Sequence, residues 1–325
     1  MQSVRTHRWP RTAAAVLTGV LALGLVACGT SADDEASGAG GTTITHALGE
    51  TTVDGTPERI VALGNQWLDA VQSLGVTPVG YVDNIAVLSK DSPPWEPRAL
   101  ESATVIDTGG DLTEQVAALE PDLILADAFL ADQKTYDNLS QVAPTVPGLT
   151  GEAVTPWQDQ VRALGKILHK TADADRVIGD IDQRVERIAQ ANPGLRGKTF
   201  VSSWLSGPTQ LMVLTDPEDG SSRLFTELGM TIPAHLTAQG GAGGRLALSP
   251  ERLGELDADL LLAGYSPGMD ATYRELPGYG ELPAVRKDAA VFLTVQEISA
   301  VNQPSPLSLP YLLDKLEPAL ANAAE

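Results

Sequence analysis

One twelve-residue pattern occurs twice in this chain: EQVAALEPDLIL (114–125) aligns without a gap on ERLGELDADLLL (251–262). Glu114, Leu119, Asp122, Leu123 and Leu125 have identical counterparts in Glu251, Leu256, Asp259, Leu260 and Leu262, and most other apolar positions stay apolar. Each copy couples a helical pattern to a short apolar run, and each occupies the same place within its own half. A repeated helix–strand unit of this kind points to two related lobes.

The flanking sequence extends the pattern. In the first half, apolar runs at 59–63, 78–82, 104–108, 122–126 and 145–146 alternate with helical stretches at 66–74, 111–119 and 133–142. Asn65 is the expected N-cap of the first helix and Gly75 its stop. Thr155-Pro156 opens a further helix toward Ile167, with Trp157 in its first turn. In the second half, strands are expected at 198–203, 211–214, 260–263 and 291–294, and helices at 222–228, 250–256 and 309–320. The fold class is therefore α/β: two Rossmann-like lobes with largely parallel sheets. Between them, Val177, Ile181, Val185 and Ile188 fall on one stripe of a helical pattern at 172–191, ended by Asn192-Pro193-Gly194. Such a helix is about 30 Å long and acts as a strut. The predicted organisation is an N-terminal lobe (42–170), a single linking helix (171–193) and a C-terminal lobe (194–325), with a ligand cleft between the lobes at the carboxyl ends of the strands.

Ahead of the lobes, Arg5, Arg8 and Arg11 precede an apolar stretch that stops at LVAC, residues 25–28. This is the layout of a secretory signal peptide, shorter than the roughly 20 apolar residues a membrane-crossing helix needs. Small residues before Cys28 predict cleavage after Ala27 (signal peptide 1–27) and lipidation of Cys28, the single cysteine of the chain. An exported protein with one cysteine cannot close an internal disulfide, so that residue has another use. Residues 28–41 are small and acidic and read as a flexible tether. The predicted location is the cell membrane, lipid-anchored on its extracytoplasmic face.

Charge narrows the partners. The signal peptide takes three of the 22 basic residues, which leaves 19 against 42 acidic ones. Nucleic acid, whose backbone demands a basic face, is excluded. His46, His169 and His235 lie too far apart for a zinc motif and are expected to be surface or capping residues, so no metal site of the protein's own is predicted. The glycine run 239–244 lacks both the Lys-Ser/Thr of a phosphate loop and the dinucleotide fingerprint, and neither a G-x-S-x-G elbow nor an H-E-x-x-H helix occurs. No catalytic set is visible, and binding rather than turnover is the expected activity.

Strand ends nominate the ligand contacts. Gln66 and Trp67 follow the first strand, Phe129 follows 122–126, Trp204 ends 198–203 and Tyr265 follows 260–263. Trp95 lies in the loop SPPWEP (92–97). In a chain with 5% aromatic residues, aromatics at strand ends suit a flat or partly apolar ligand. Trp67 serves equally well as packing for the first helix. Arg223 and Arg245 are candidate partners for an anionic ligand oxygen, with ordinary surface exposure as the alternative. Glu114 and Glu251 occupy equivalent places in the repeats. Asp111 can begin a capping box completed by Glu114, and Glu251 favours the dipole of a helix opened by Ser249-Pro250. Each also offers one carboxylate per lobe to a basic two-fold partner.

The stretches TITHALG (43–49), PERIVAL (57–63), LEPDLIL (119–125), SQVAPT (140–145) and SPLSLPYLLD (305–314) resemble iron-siderophore substrate-binding lipoproteins of bacterial ABC importers, a group that also includes cobalamin and heme binders. The resemblance covers nearly the whole mature chain. It implies two lobes bridged by one rigid helix, modest closure, and a ferric siderophore as cargo, with iron carried only as its chelate and no cofactor. It also implies a monomer that docks on a permease dimer, with Glu114 and Glu251 engaging the permease's arginines. The acidic body favours a neutral or cationic hydroxamate chelate over an anionic catecholate. Cobalamin or heme binding on the same fold is the alternative, and an exported α/β enzyme is a further one.

Overall fold

A computed structural model describes residues 41–325 apart from Ala153. The signal peptide, Cys28 and all but the last residue of the tether lie outside the described residues. No described helix is long and apolar enough to cross a membrane.

The chain opens with an antiparallel hairpin, β1 (Thr42–His46) and β2 (Gly49–Val53). The N-terminal lobe then builds a five-stranded parallel sheet from β3 (Ile60–Leu63), β4 (Gly80–Val82), β5 (Thr104–Val105), β6 (Leu123–Ala126) and β7 (Thr145–Val146), in the order β5-β4-β3-β6-β7. The C-terminal lobe contains β8 (Phe200–Gly207), β9 (Gln210–Leu214), β10 (Arg245–Leu248), β11 (Leu260–Tyr265) and β12 (Ala290–Leu293), in the order β10-β9-β8-β11-β12. There β8, β11 and β12 run parallel while β9 and β10 are antiparallel. IVAL in β3 and LILA in β6 are buried at every position, because helices cover both faces of a parallel sheet.

The two spatial orders match, and the internal repeat falls on equivalent strands: β6 pairs with β3 as β11 pairs with β8. The repeated aspartate has the same task in both lobes. Asp122 accepts the backbone N–H groups of Glu58 and Arg59 at 2.8 Å, and Asp259 accepts that of Thr199 at 2.9 Å. Each clamps the entry of its lobe's first parallel strand to the strand beside it. Val116 and Leu253, also equivalent, are both fully buried.

The linking helix is Thr171–Ala191, whose buried stripe is Ala174, Ile178, Ile181, Val185 and Ile188. Ile178 takes the place expected for Val177, which is only partly covered. This helix packs on Trp157–Ile167 of the first lobe and on Ser308–Ala323 of the second.

Several local expectations are corrected. The first helix is Asn65–Ser73 and its N-cap is Gly64, at φ 116°, rather than Asn65. That backbone suits glycine alone, and a Cβ there would meet the Asp127 carboxylate at 2.1 Å. Asp127, just beyond β6, accepts the N–H of Gln66 and so caps the helix from across the sheet. Residues 250–256 form a 3-10 helix interrupted at Arg252, and 104–108 contributes only a two-residue edge strand. His46 is buried rather than exposed; its Nε2 pairs with Thr51 and its Nδ1 accepts the N–H of Leu48, closing the hairpin. The helices Asn84–Ser89 and Val295–Asn302, the second opened by the capping box of Thr294 and Glu297, lie outside the expected elements and pack on each other across the lobes.

Candidate functional site

The carboxyl ends of the N-terminal strands carry acids. Asp83 follows β4 and caps the helix Asn84–Ser89 through the N–H of Ala86 at 2.8 Å. Its Oδ1 also takes the Asn65 amide at 2.6 Å. Asp127 follows β6, and burial pushes its carboxyl up to about 7. On the first helix, Asp69 is pushed up to about 8, mainly by burial, against the hydrogen bond it accepts from Ser305. Sequence reasoning passed over these residues because carboxylates in so acidic a chain read as a solvated face. The available signal was position: GYVD (80–83) and LILAD (123–127) each end a buried strand on aspartate.

Several of these groups tie the lobes together. The Gln66 amide donates to the carbonyls of Thr155 at 3.2 Å and Pro304 at 2.9 Å. Ser305 of the second lobe donates to Asp69 of the first. The Gln296 amide donates to Ser89 Oγ at 3.2 Å and to the carbonyls of Asp91 and Ser92 at 3.0 Å. Trp95 of the first lobe lies 5.6 Å, ring to ring, from Tyr311 of the second.

The expected contact residues therefore separate into two sets. Trp67 is fully buried in the core and offers no surface to a ligand, so its packing role holds in this structure. Gln66 and Trp95 belong to the seam between the lobes. Arg245 is engaged by buried Asp219 at 3.2 Å and by Ser221 Oγ at 3.1 Å, because an uncompensated buried carboxylate is costly and this guanidinium is within reach. The accessible set is Phe129, 59% exposed after β6, together with Arg223, Trp204 and Tyr265. Arg223 pairs with Glu227 at 3.0 Å and lines a hollow of about 450 Å³ where Pro156 of the first lobe meets Pro217 and Glu218 of the second.

Trp204 and Tyr265 stand on opposite faces of the C-terminal sheet. Trp204 is level with Gly264 on the neighbouring strand, and successive residues alternate faces. Gly264 presses against Ile298, which puts Trp204 on the face covered by Val295–Asn302, where its indole donates to Ser266 Oγ at 3.2 Å. Tyr265 lies on the other face, 6.2 Å from Phe292, whose ring also carries the Arg274 guanidinium at 3.4 Å. Glu114 and Glu251 are both exposed. Asp111 caps the helix Leu112–Ala117 through the N–H of Glu114, whereas Glu251 accepts from Ser249 Oγ at 3.2 Å.

Two α/β lobes of matching strand order, one bridging helix and strand ends that face polar loops are the geometry of a solute binder. A model of the family described as periplasmic binding protein matches residues 60–296. The chain belongs to that family. It is 27% identical over 262 residues to the Fe(3+)-citrate-binding protein YfmC of Bacillus subtilis, covering 78% of this chain and 80% of the relative. It is 31% identical over 189 residues to the probable siderophore-binding lipoprotein YfiY of the same organism, covering 56% and 55%. A solved periplasmic solute binding protein from Mycobacterium smegmatis superposes with a TM-score of 0.73 at 28% identity, over 88% of this chain and 99% of that one. For this periplasmic binding protein, the fold and the family agree with the two-lobed architecture expected from the internal repeat.

Proposed function

We propose that this protein is the extracytoplasmic solute-binding component of an ABC importer, capturing a ferric siderophore and delivering it to a membrane permease. The observation that carries the reading is a pair of lobes of matching strand order in a periplasmic binding protein whose relatives include a Fe(3+)-citrate-binding protein and a probable siderophore-binding lipoprotein. Iron arrives already chelated, so a ligand wall of aromatic and polar side chains serves without metal ligands. Phe129, Trp204, Tyr265 and Arg223, the accessible members of the expected set, are the proposed contacts, with Trp204 and Tyr265 reaching the strand ends from opposite faces of the C-terminal sheet. The acidic body, with a formal charge of -20 for the whole chain, favours a hydroxamate chelate over a strongly anionic catecholate. Lipidation at Cys28 holds the body at the membrane as a monomer, and Glu114 and Glu251 engage one permease subunit each.

Tryptophan-fluorescence titration of the chain without its first 27 residues tests the ligand class. The expected result is saturable quenching by a ferric hydroxamate, weakened roughly fivefold or more in Trp204→Ala, since one well-placed aromatic contact contributes about 1 kcal/mol or more. Tight binding to heme or cobalamin alone overturns it.

A further inference from the structure

At the carboxyl ends of β4 and β5 lies a hollow of about 520 Å³, lined among others by Asp83, Val87, Lys90, Asp91, Glu96 and Val105. Its chemistry is unusual in two independent respects. Among the described residues only four large hydrophobic side chains are strongly exposed, and two of them, Val87 at 66% and Val105 at 63%, line this hollow. Beside them is Asp83, only 4% exposed, whose Oδ1 takes both donors offered to it while its buried Oδ2 receives none. Glu96 lines the same hollow, and burial together with the neighbouring Asp83 raises its carboxyl pKa. Lys90, exposed at the rim of the same hollow, forms no ion pair with either acid, nor does any other basic side chain among the described residues.

We propose that this hollow is a subsite for an alkylammonium arm of the ligand, with the methylene stem against Val87 and Val105 and the charge on Asp83 and Glu96. A desolvated carboxylate with an empty lone pair is most stabilised by a charged N–H donor, and exposed aliphatic walls match a methylene chain. Burial and Asp83 together push Glu96 up to about 7, and an ammonium beside it favours the charged form of that carboxyl. No three acidic, histidine or cysteine side chains converge as metal ligands among the described residues, which favours an organic cation over a bare metal ion. The inference rests on the siderophore reading and specifies the chemical class of the chelate.

The test uses two ferric trihydroxamates identical except for a terminal primary amine, free in one and acetylated in the other. Both are titrated into the chain without its first 27 residues, and into Glu96→Gln and Asp83→Asn, each of which keeps its shape and Asp83→Asn the capping oxygen. The expected result is roughly tenfold tighter binding of the free amine by the parent protein, an energy of about 1.4 kcal/mol. That preference collapses in both variants, while the acetylated chelate binds all three proteins alike. Equal affinity of the two chelates for the parent protein overturns the subsite and leaves the siderophore reading standing, as does a preference that survives in both variants. Failure of both chelates to bind overturns the reading itself.

Discussion

Asp69 shows how one buried side chain sets a pH dependence. Its folded-state pKa, about 8, lies above that of an exposed aspartate, near 3.9, so between about pH 4 and pH 8 the folded chain holds a proton the unfolded chain releases. Stability is greatest at the acid end of that window and falls as pH rises through it. In Asp69→Asn the fall is smaller by on the order of 1–3 kcal/mol, seen as a flatter plot of thermal midpoint against pH; an unchanged slope contradicts the assignment. Trp67→Ala is expected to cost about 3–5 kcal/mol in chemical denaturation, the loss typical of a large core aromatic, and to leave no ligand-specific signature beyond it. Aromatic identity was visible in the sequence at both Trp67 and Trp204, but burial was not. Only the packing of the first helix against its sheet separates a core tryptophan from an accessible one.

At the level of elements, close approach governs where glycine is required. A Cβ at Gly264 meets Ile298 at 2.3 Å, so Gly264→Ala pushes the helix Val295–Asn302 off β11 and loses about 1–3 kcal/mol. Gly254→Ala, where nothing lies within 4 Å, is the control and changes stability little. Thermal unfolding of the two variants decides the point, and equal midpoints contradict it. The strands β3, β6 and β11 were legible because uninterrupted apolar runs are what a doubly covered parallel sheet demands. The edge strand β10 was not, since Arg245-Leu-Ala-Leu248 is half exposed and follows a glycine run that reads as loop. The helix Asn84–Ser89 was equally hidden, having one buried residue, Ile85, and owing its place to the Asp83 cap and to a partner helix far along the chain.

The molecule as a whole is two copies of one plan held by a strut and a polar seam. The repeat at 114–125 and 251–262 made the plan legible, because local sequence records a helix–strand unit directly. The seam was illegible, because Gln66, Asp69, Trp95, Gln296 and Ser305 find their partners only once the lobes are placed. A seam bonded at so many points predicts modest closure on ligand. The equivalent, exposed positions of Glu114 and Glu251 predict that replacing both by alanine abolishes uptake in cells while leaving ligand affinity unchanged; uptake that persists reduces them to helix-end residues. The most direct measurement of the central claim is a calorimetric titration of the chain without its first 27 residues against one trihydroxamate siderophore, iron-loaded and iron-free. Saturable one-to-one binding of the ferric form, much weaker for the iron-free form, is the predicted result, and heat from neither form, or equal affinity for both, contradicts it.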